Sequence, residues 1–351
     1  MTRKHYREEA RADLPGVAFD SIRKMLLLEV DEHGLTLQED EPGQVTVETG
    51  YGLIGLREGV DTPVAGMVAA SDSRNLFVMK NAMVEHLRTV LPDLAEAMRW
   101  SDSAEIGGFP PNFQFGQVTR VARLGDAFLR VTLKVEDVSI FGDESIHFRL
   151  VLPPRGMTPD WPAVAPNGST RWPKGPGAPH IPVYTVRSLD RASNVLFMDV
   201  FRHDGGRVTE WCEELHAGDM RRSRVGIVGP GGGGLVDAQS LLIASDETGF
   251  PAVARLIEGL HAGATAEMIL ETADGAETAY PIPAHEGVSV RWLSRRTGEG
   301  IADAALEALP GHPTSAIWFA GEKKDARRLR SAAKTMGVPG TKLHIAAFWA
   351  S

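Results

Sequence analysis

The chain predicts a multidomain α and β protein: a small N-terminal α+β domain, then a six-stranded antiparallel β-barrel, then an α/β domain on a parallel sheet. Three observations carry this. An apolar stripe at helical spacing follows several short strands before residue 100, residues 113–229 hold six strand-like runs without a long helix, and strands alternate with helices from 237 onward. Runs of strands close into barrels or sandwiches, whereas strict alternation builds parallel sheets with crossover helices. A length of 351 residues fits two or three domains.

The first domain spans 1–104. "KMLLLEV" at 24–30 and "GLTLQ" at 34–38 flank an Asp-Glu-His-Gly turn and predict a hairpin. "QVTVETGYGLIGL" and "PVAGMVAAS" predict further strands. Leu76, Met79, Met83, Leu87 and Val90 recur at three- and four-residue steps, giving one helix face. Asp72 or Ser73 would cap that helix, and Pro92 would open a second, ending near Trp100. No paired carboxylates, metal spacing or nucleophile stands out in this domain. "SDSAEIGGFPP" at 101–111 has the composition of a linker.

The second domain, 110–234, takes its strands from "FQFGQVTRVARL", "AFLRVTLKV", "IHFRLVL", "VYTVRSL", "NVLFMDVFR" and "RVGIVG". Nine prolines between 153 and 182 exclude regular structure there and predict a long surface loop. The third, 235–351, alternates "SLLIAS", "PAVARLIEGL", "AEMILET", "VSVRWLS", "IADAALEAL", "AIWFAG", "DARRLRSAAKTMG" and "KLHIAAFW".

Composition bounds the function. Apolar content of 43% and charged content of 24% describe a soluble globular protein with ample core. A net charge of −9 argues against general affinity for nucleic acid or anionic membrane. An anionic small molecule would need a local basic patch. Cys212 is the only cysteine, so neither a disulfide nor a cysteine-ligated metal cluster is expected. "MTRKHYREEARADLPG" lacks the apolar core of a secretory signal, and runs such as "LLIA" are far too short to span a bilayer. A cytoplasmic protein without metal site or membrane insertion is the simplest reading.

"PVYTVR" at 182–187 sets a flat ring, a hydroxyl and a fixed charge at the mouth of a strand. Strand geometry puts Tyr184 and Thr185 on opposite sides and Thr185 with Arg187 on one. A flavin needs stacking on its ring, hydrogen bonds at the ring edge and charge at its pyrophosphate. Alone, the hexapeptide reads more readily as an ordinary strand. "DVFRHDGGRVTEWCEELHAGD" at 199–219 adds a strand, a glycine turn and a short helix. Gly205 and Gly206 permit close backbone approach, and Thr209 lies at the helix start, a ready phosphate site. Cys212 and His216 share a face of that helix; without a third orienting group they read as packing.

"GPGGGG" at 229–234 satisfies G-x-G-x-x-G but leads into a strand, so it reads as a flexible link rather than a dinucleotide loop. The better nucleotide site is the turn Asp246-Glu247-Thr248-Gly249 after "SLLIAS", with Pro251 in the first helical turn. Glu271, ending the next strand, would hydrogen-bond a free ribose and repel a 2′-phosphate, favouring NADH.

Taken in order, Tyr184-Thr185-x-Arg187, Gly206-Arg-Val-Thr209-Glu-Trp211, Asp246-Glu247-Thr248-Gly-Phe-Pro251, Trp292-Leu-Ser-Arg295 and Ala320-Gly321-Glu322 are similar to the siderophore-interacting proteins. These are FAD-containing ferric-siderophore reductases of the ferredoxin-reductase superfamily, and the resemblance runs from about 113 to 350. It implies an FAD-binding barrel and an NAD(P)H-binding-type α/β domain. The cofactor-binding residues it implies are Tyr184, Thr185, Val186, Arg187, Asp199, Val200, Phe201, His203, Gly206, Val208, Thr209, Asp246, Glu247, Thr248 and Glu322. It further implies a ferric siderophore at His147 and Arg149, and NADH or NADPH as electron donor with a ferredoxin as the alternative. Arg221, Arg222 and Arg224 form a looser basic cluster whose plainer reading is a solvated turn. Transfer through a flavin needs no acid, base or nucleophile, so no catalytic side chain is assigned.

Residues 1–100 resemble an uncharacterised family of small domains found alone or joined to such reductases. Two departures stand out. Pro182 replaces a family Arg at the pyrophosphate, leaving Arg187, Lys174 or His180 to supply the charge; Ala350 follows Phe348 and Trp349 where the family has Arg. A general NAD(P)H-dependent flavin or ferric reductase, or a non-catalytic flavin- or siderophore-binding protein, are the competing readings.

Overall fold

The computed structural model describes residues 6–33, 35–60, 63–102, 105–276 and 278–350. The chain divides into two compact units: Met1–Phe113 with Pro153–His180, and Gln114–Leu152 with Ile181–Ser351.

The first unit contains β1 (Glu8–Leu14), α1 (Phe19–His33), β2 (Thr36–Glu41), β3 (Gln44–Glu48), β4 (Gly52–Arg57), β5 (Val64–Ala70), α2 (Ser73–Val90) and α3 (Pro92–Ala97). Its strands form an antiparallel sheet in the order β1-β5-β4-β3-β2. Alternate residues such as Ala10, Ala12, Leu14, Val45 and Val47 point into a core shared with the helices. Asp72 caps α2 by accepting from the Asn75 amide at 2.9 Å, as its sequence position predicts.

The expected hairpin across 24–38 is not formed, because "KMLLLEV" lies inside α1. Phe19, Ile22, Leu26 and Val30 recur at three- and four-residue steps and meet the core, and unbranched Lys, Met, Leu and Glu favour a helix. The hairpin comes one element later, between β2 and β3, where Gly43 supplies the positive φ of 76°.

The proline-rich segment is not wholly irregular. β9 (Ala163–Val164) and β10 (Thr170–Arg171) make a short antiparallel ladder within it. It groups with the first unit and is bonded to it. Asn167 donates to the Ala95 carbonyl at 2.9 Å and accepts from Trp100 Nε1 through its own carbonyl at 2.9 Å. The Thr170 amide donates to Asn81 Oδ1 at 2.8 Å. Gly168, with φ of 75°, lies so close to the Trp100 ring that an added Cβ would fall 2.7 Å from it. A contiguous first domain ending at 104 therefore omits part of this unit's packing.

The second unit begins with β6 (Phe113–Leu124), β7 (Phe128–Val135) and β8 (His147–Val151). It continues through β11 (Val183–Thr185), β12 (Ser188–Asp190), β13 (Val195–Phe201), α4 (Arg207–His216) and β14 (Arg224–Gly231). These strands form one sheet in the order β11-β8-β14-β6-β7-β13-β12. Seven strands replace the expected six because "VYTVRSL" breaks after Thr185. Val186 N donates to Ile146 O and Arg187 N to Phe197 O, so successive residues bond to β8's side and to β13. One segment thus supplies both edges of the sheet. Leu129, Val131, Leu133, Leu150, Leu196 and Met198 fill the core, onto which α4 lays Trp211, Cys212 and Leu215.

The glycine run is not a flexible link. The Gly233 carbonyl accepts from the Ile146 amide at 3.1 Å, Gly232 O accepts from Ser145 Oγ at 2.8 Å, and the Leu235 amide donates to Asp143 O at 2.7 Å. The helix that a dinucleotide loop requires does not follow it.

Beyond it come β15 (Ser240–Ser245), α5 (Phe250–Glu258), β16 (Thr265–Thr272), β17 (Val288–Ser294), α6 (Ile301–Ala308), β18 (Ala316–Glu322), α7 (Lys323–Thr335) and β19 (Leu343–Trp349). All five strands are parallel, in the order β17-β16-β15-β18-β19. Leu241 and Ile243 pack with α5, while Leu242 and Ala244 pack with α6 and α7. Burial on both faces is why these strands read as continuous apolar runs. The strand order reverses between β15 and β18, which opens a crevice at their carboxyl ends. No helix among the described residues is long and apolar enough to cross a membrane.

Candidate functional site

Two places in the second unit gather the residues singled out in the sequence, the start of α4 and the crevice between β15 and β18. Gly206 is the N-cap of α4 and offers no side-chain hydrogen bond, so the amides of its first turn remain open to an anion. Gly205 takes a φ of 72°, and an added Cβ on Gly206 would fall 2.6 Å from the His203 ring. Thr209 Oγ1 accepts from the His203 amide at 3.4 Å, which keeps the turn closed under the open amides. Arg207, in the first turn, is exposed and its guanidinium makes no hydrogen bond or ion pair among the described residues. Sequence reasoning passed over Arg207; its position directly after a Gly-Gly turn was the available signal.

Beside α4, Tyr184 packs half-buried against the cluster that holds Val208 and Cys212. Burial pushes the Tyr184 hydroxyl and the Cys212 thiol well above their usual ranges. Thr185 is buried, with its hydroxyl 3.4 Å from His147 Nδ1. His216 is instead exposed, 3.0 Å through Nδ1 from the Val121 carbonyl, so it forms no pair with Cys212.

The expected partnership of Thr185 and Arg187 on one strand side does not arise, because the strand ends between them. Arg187 is buried in a different cluster. It donates to both oxygens of Glu258 at 2.9 and 2.8 Å, leaving only Nε without a hydrogen-bond acceptor. Asp199, fully buried, takes Arg130 in a bidentate pair at 2.8 Å and accepts from the Tyr280 hydroxyl at 2.7 Å. These carboxylates and cations satisfy one another, so Arg187 and Asp199 serve the fold rather than offering free side-chain atoms to a cofactor. Val186, Val200 and Val208 are core residues, and Val186 spends its amide on Ile146 and its carbonyl on Arg255. Phe201 is half-buried against Phe128, with ring centroids 5.5 Å apart.

The residues that remain fit an FAD at two ends. A Gly-capped helix with an unpaired Arg suits a pyrophosphate, and a tyrosine ring next to a buried hydroxyl suits an isoalloxazine.

The second place is the crevice between β15 and β18. Asp246 occupies it from one side, accepting from the Thr248 amide at 2.9 Å, from the Thr248 hydroxyl, and from Trp349 Nε1 at 2.7 Å. Burial raises the Asp246 pKa, against those hydrogen bonds, which favour the charged form. Gly249 brings the turn so near β18 that a Cβ would fall 2.7 Å from Ala320 Cβ. Glu322 lies buried at the end of β18 and accepts from Lys324 at 2.6 Å. Trp349, 42% exposed, therefore covers the end of β18 to reach Asp246. Its neighbour Phe348 meets the His147 ring edge-on, with centroids 5.6 Å apart.

Glu271 does not present the free carboxylate that a ribose needs. Its Oε1 accepts from Arg295 Nε at 2.8 Å and its Oε2 from the Ile301 amide at 3.2 Å, which anchors the start of α6. Glu247 holds the other side of Arg295. The acidic strand end is thus an ion-paired brace, and the preference for NADH drawn from it loses its support.

His147 and Arg149 sit two apart on β8. Burial, with the nearby Arg255 guanidinium, lowers the His147 pKa to about 4, so it is neutral near pH 7. Arg149 is exposed and its guanidinium has no partner among the described residues. Arg221 pairs with Asp219, Arg222 with Glu214, and Arg224 lies 4.0 Å over the Phe115 ring, so that cluster is locally spent. No cluster of ligating side chains among the described residues could hold a metal ion.

Two family models match successive stretches of the chain, the first of which also includes residues 153–180 of the first unit. Residues 117–234 match the siderophore-interacting FAD-binding domain and residues 238–351 the siderophore-interacting protein family. The chain is 25% identical over 176 residues to the mycobactin import ATP-binding/permease protein IrtA of Mycobacterium tuberculosis, covering 47% of this chain and 19% of that protein. It is 25% identical over 161 residues to the ferric acinetobactin reductase of Acinetobacter baumannii, covering 44% of this chain and 54% of that protein. It thus spans about a fifth and about half the length of those two relatives. A siderophore utilization protein from T. fusca superimposes with a TM-score of 0.52 at 25% identity, over 68% of this chain and 92% of that one. The siderophore-interacting protein of A. baumannii shares the fold, with a TM-score of 0.53 at 17% identity over 68% and 90% of the two chains.

Proposed function

Through residues 117–234 and 238–351 the chain belongs to the siderophore-interacting protein family, and on that premise we propose that it is an FAD-dependent ferric-siderophore reductase fed by a reduced nicotinamide nucleotide. The observation that carries the reading is a continuous wall, Thr185–His147–Phe348–Trp349–Asp246, that joins the tyrosine-bearing sheet edge to the β15–β18 crevice. A donor in the crevice and an isoalloxazine at the edge would meet along it. The seven-stranded sheet is read as a six-stranded barrel in which β11 and β12 are one closing strand, broken where it crosses from β8 to β13.

Bound FAD supplies the conversion of a hydride's electron pair into single electrons, which Fe(III) accepts one at a time. The chain's own residues bind and orient. The α4 amides and Arg207 hold the pyrophosphate, replacing the charge lost at Pro182. Tyr184 and Thr185 hold the ring, and the turn at Asp246, Glu247 and Thr248, with Glu322, orients the nicotinamide. Arg149 draws an anionic ferric chelate to the exposed side of β8, beside a neutral His147 that adds no charge. Reduction lowers the charge on iron and weakens its hold on hard oxygen ligands, which releases it. We place the reaction in the cytoplasm, where reduced nicotinamide nucleotides are available.

The test is a spectrum and a stopped-flow series. The purified chain should take up FAD with flavin bands, be bleached by NADH or NADPH, and be reoxidised faster by ferric siderophores than by ferric citrate. Equal reoxidation by both would leave a general ferric reductase, and refusal of FAD would end the redox assignment. Arg149→Ala should slow siderophore-driven reoxidation roughly tenfold without loss of flavin, the loss of one charge-assisted contact. An unchanged rate removes Arg149 from the pocket.

A further inference from the structure

The first unit contains a cavity of about 260 Å³ between α1 and α2 over β4. Its walls are Met25 and Leu26 of α1, Met79 and Met83 of α2, and Ile54 and Leu56 of β4. Protein interiors are close-packed, and voids larger than a water molecule are few in a domain. This cavity opens to solvent, and an apolar guest seated in it would remove the apolar walls from water.

Three further features define the guest. Leu28 and Val90, which line it, are 61% and 51% exposed, so apolar groups stand where it meets solvent. Among the described residues no Phe, Tyr or Trp lines it; flexible Met and Leu side chains do, and these mould to a chain better than they stack on a flat ring. Polar groups are confined to a few places. The Thr49 hydroxyl lies 3.0 Å from the Gly52 carbonyl and 3.3 Å from Met79 Sδ, while His86 Nδ1 lies 3.5 Å from Glu29.

We propose that this cavity binds an aliphatic chain, the alkyl or acyl part of an amphiphile, whose uncharged polar head rests at the His86–Glu29 pair. An alcohol or amide can donate to Glu29, and an alcohol, ester or amide can accept from His86. A free carboxylate would instead meet the Glu29 charge. The site is independent of the redox reading and assigns a ligand to the part of the chain that the family matches do not cover.

The full-length chain is titrated with decanol, decanoate and naphthol by calorimetry and by thermal melting. Decanol should bind with saturation at one equivalent and raise the melting temperature. Decanoate should bind roughly tenfold more weakly, the cost of a like charge at the mouth, and Glu29→Gln should narrow that gap. Ala82→Phe, which fills the cavity from α2, should abolish binding while the melting temperature holds or rises. In wild-type chain with labelled methionine methyls, decanol should shift Met25, Met79 and Met83, a readout that does not depend on any variant folding. Absence of saturable binding, tighter binding of naphthol than decanol, or unmoved methionine methyls would each overturn the proposal.

Discussion

Two strand-to-helix turns in the second unit look alike in sequence, each a strand, a polar turn with glycine and a short helix, yet they are built in opposite ways. After β13, the turn before α4 ends on Gly206 and leaves its amides to whatever arrives. After β15, Asp246 places its own carboxylate on the Thr248 amide and receives Trp349 on its other oxygen. One turn is prepared for an anion and the other already contains one. The difference is a single side chain: one turn leaves its first amides uncapped, and the other fills its own and lines the β15–β18 crevice.

The comparison can be broken most forcefully at its support. Trp211 is fully buried and donates to the Arg222 carbonyl at 2.9 Å, so Trp211→Ala should cost ~3–5 kcal/mol in denaturant unfolding and release FAD with it. A loss below ~1 kcal/mol would mean that α4 is not held this way. Asp246→Ala should cost about 1–2 kcal/mol as its cap is lost, and should raise the KM for the nicotinamide nucleotide while the FAD affinity stays put. If FAD affinity falls instead, the two turns do not divide their work. Arg207→Gln should weaken FAD roughly five- to tenfold by fluorescence titration, with a smaller difference in high salt. No salt dependence would remove Arg207 from the pyrophosphate.

The smallest effect is a pH slope. The folded His147 pKa of about 4 lies below the ordinary value of 6.5. Between those limits the unfolded chain binds a proton that the folded chain does not. The resulting stability is fully present above about 6.5 and is lost as pH falls toward 4. His147→Asn should flatten the acid side of the stability profile by up to one proton equivalent, and an unchanged slope would show His147 to be solvated.

Much of this architecture was legible. The parallel strands read clearly because both of their faces are buried, which makes runs such as "SLLIAS" uniformly apolar. α1 misled because its apolar residues crowd into a short Leu-rich run followed by a plausible turn, and helix and strand cannot be separated over so few positions. The glycine turn that ends on Gly206 was readable as a helix start with open amides, because glycine brings no capping side chain. Arg187, Asp199 and Glu271 were not, because charge in a sequence does not reveal its partner. Glu258, Arg130 and Arg295 come from other elements, and only the fold shows that these charges are already neutralised. Trp349 reaching Asp246 joins residues more than a hundred positions apart, and no local pattern announces it.

The bond between Asn167 and Ala95 has a bearing on biosynthesis. As the polypeptide leaves the ribosome, its leading portion cannot complete its contacts until residues 153–180 emerge, and the strands β6, β7 and β8 are made in the interval. The two bodies therefore mature as interleaved projects rather than in succession, unlike the usual order in which an earlier domain finishes first. A gene truncated to begin at residue 114 would strand Asn167 and Ser169 without Ala95 and Arg88, turning buried polar groups into a sticky, unpaired tongue.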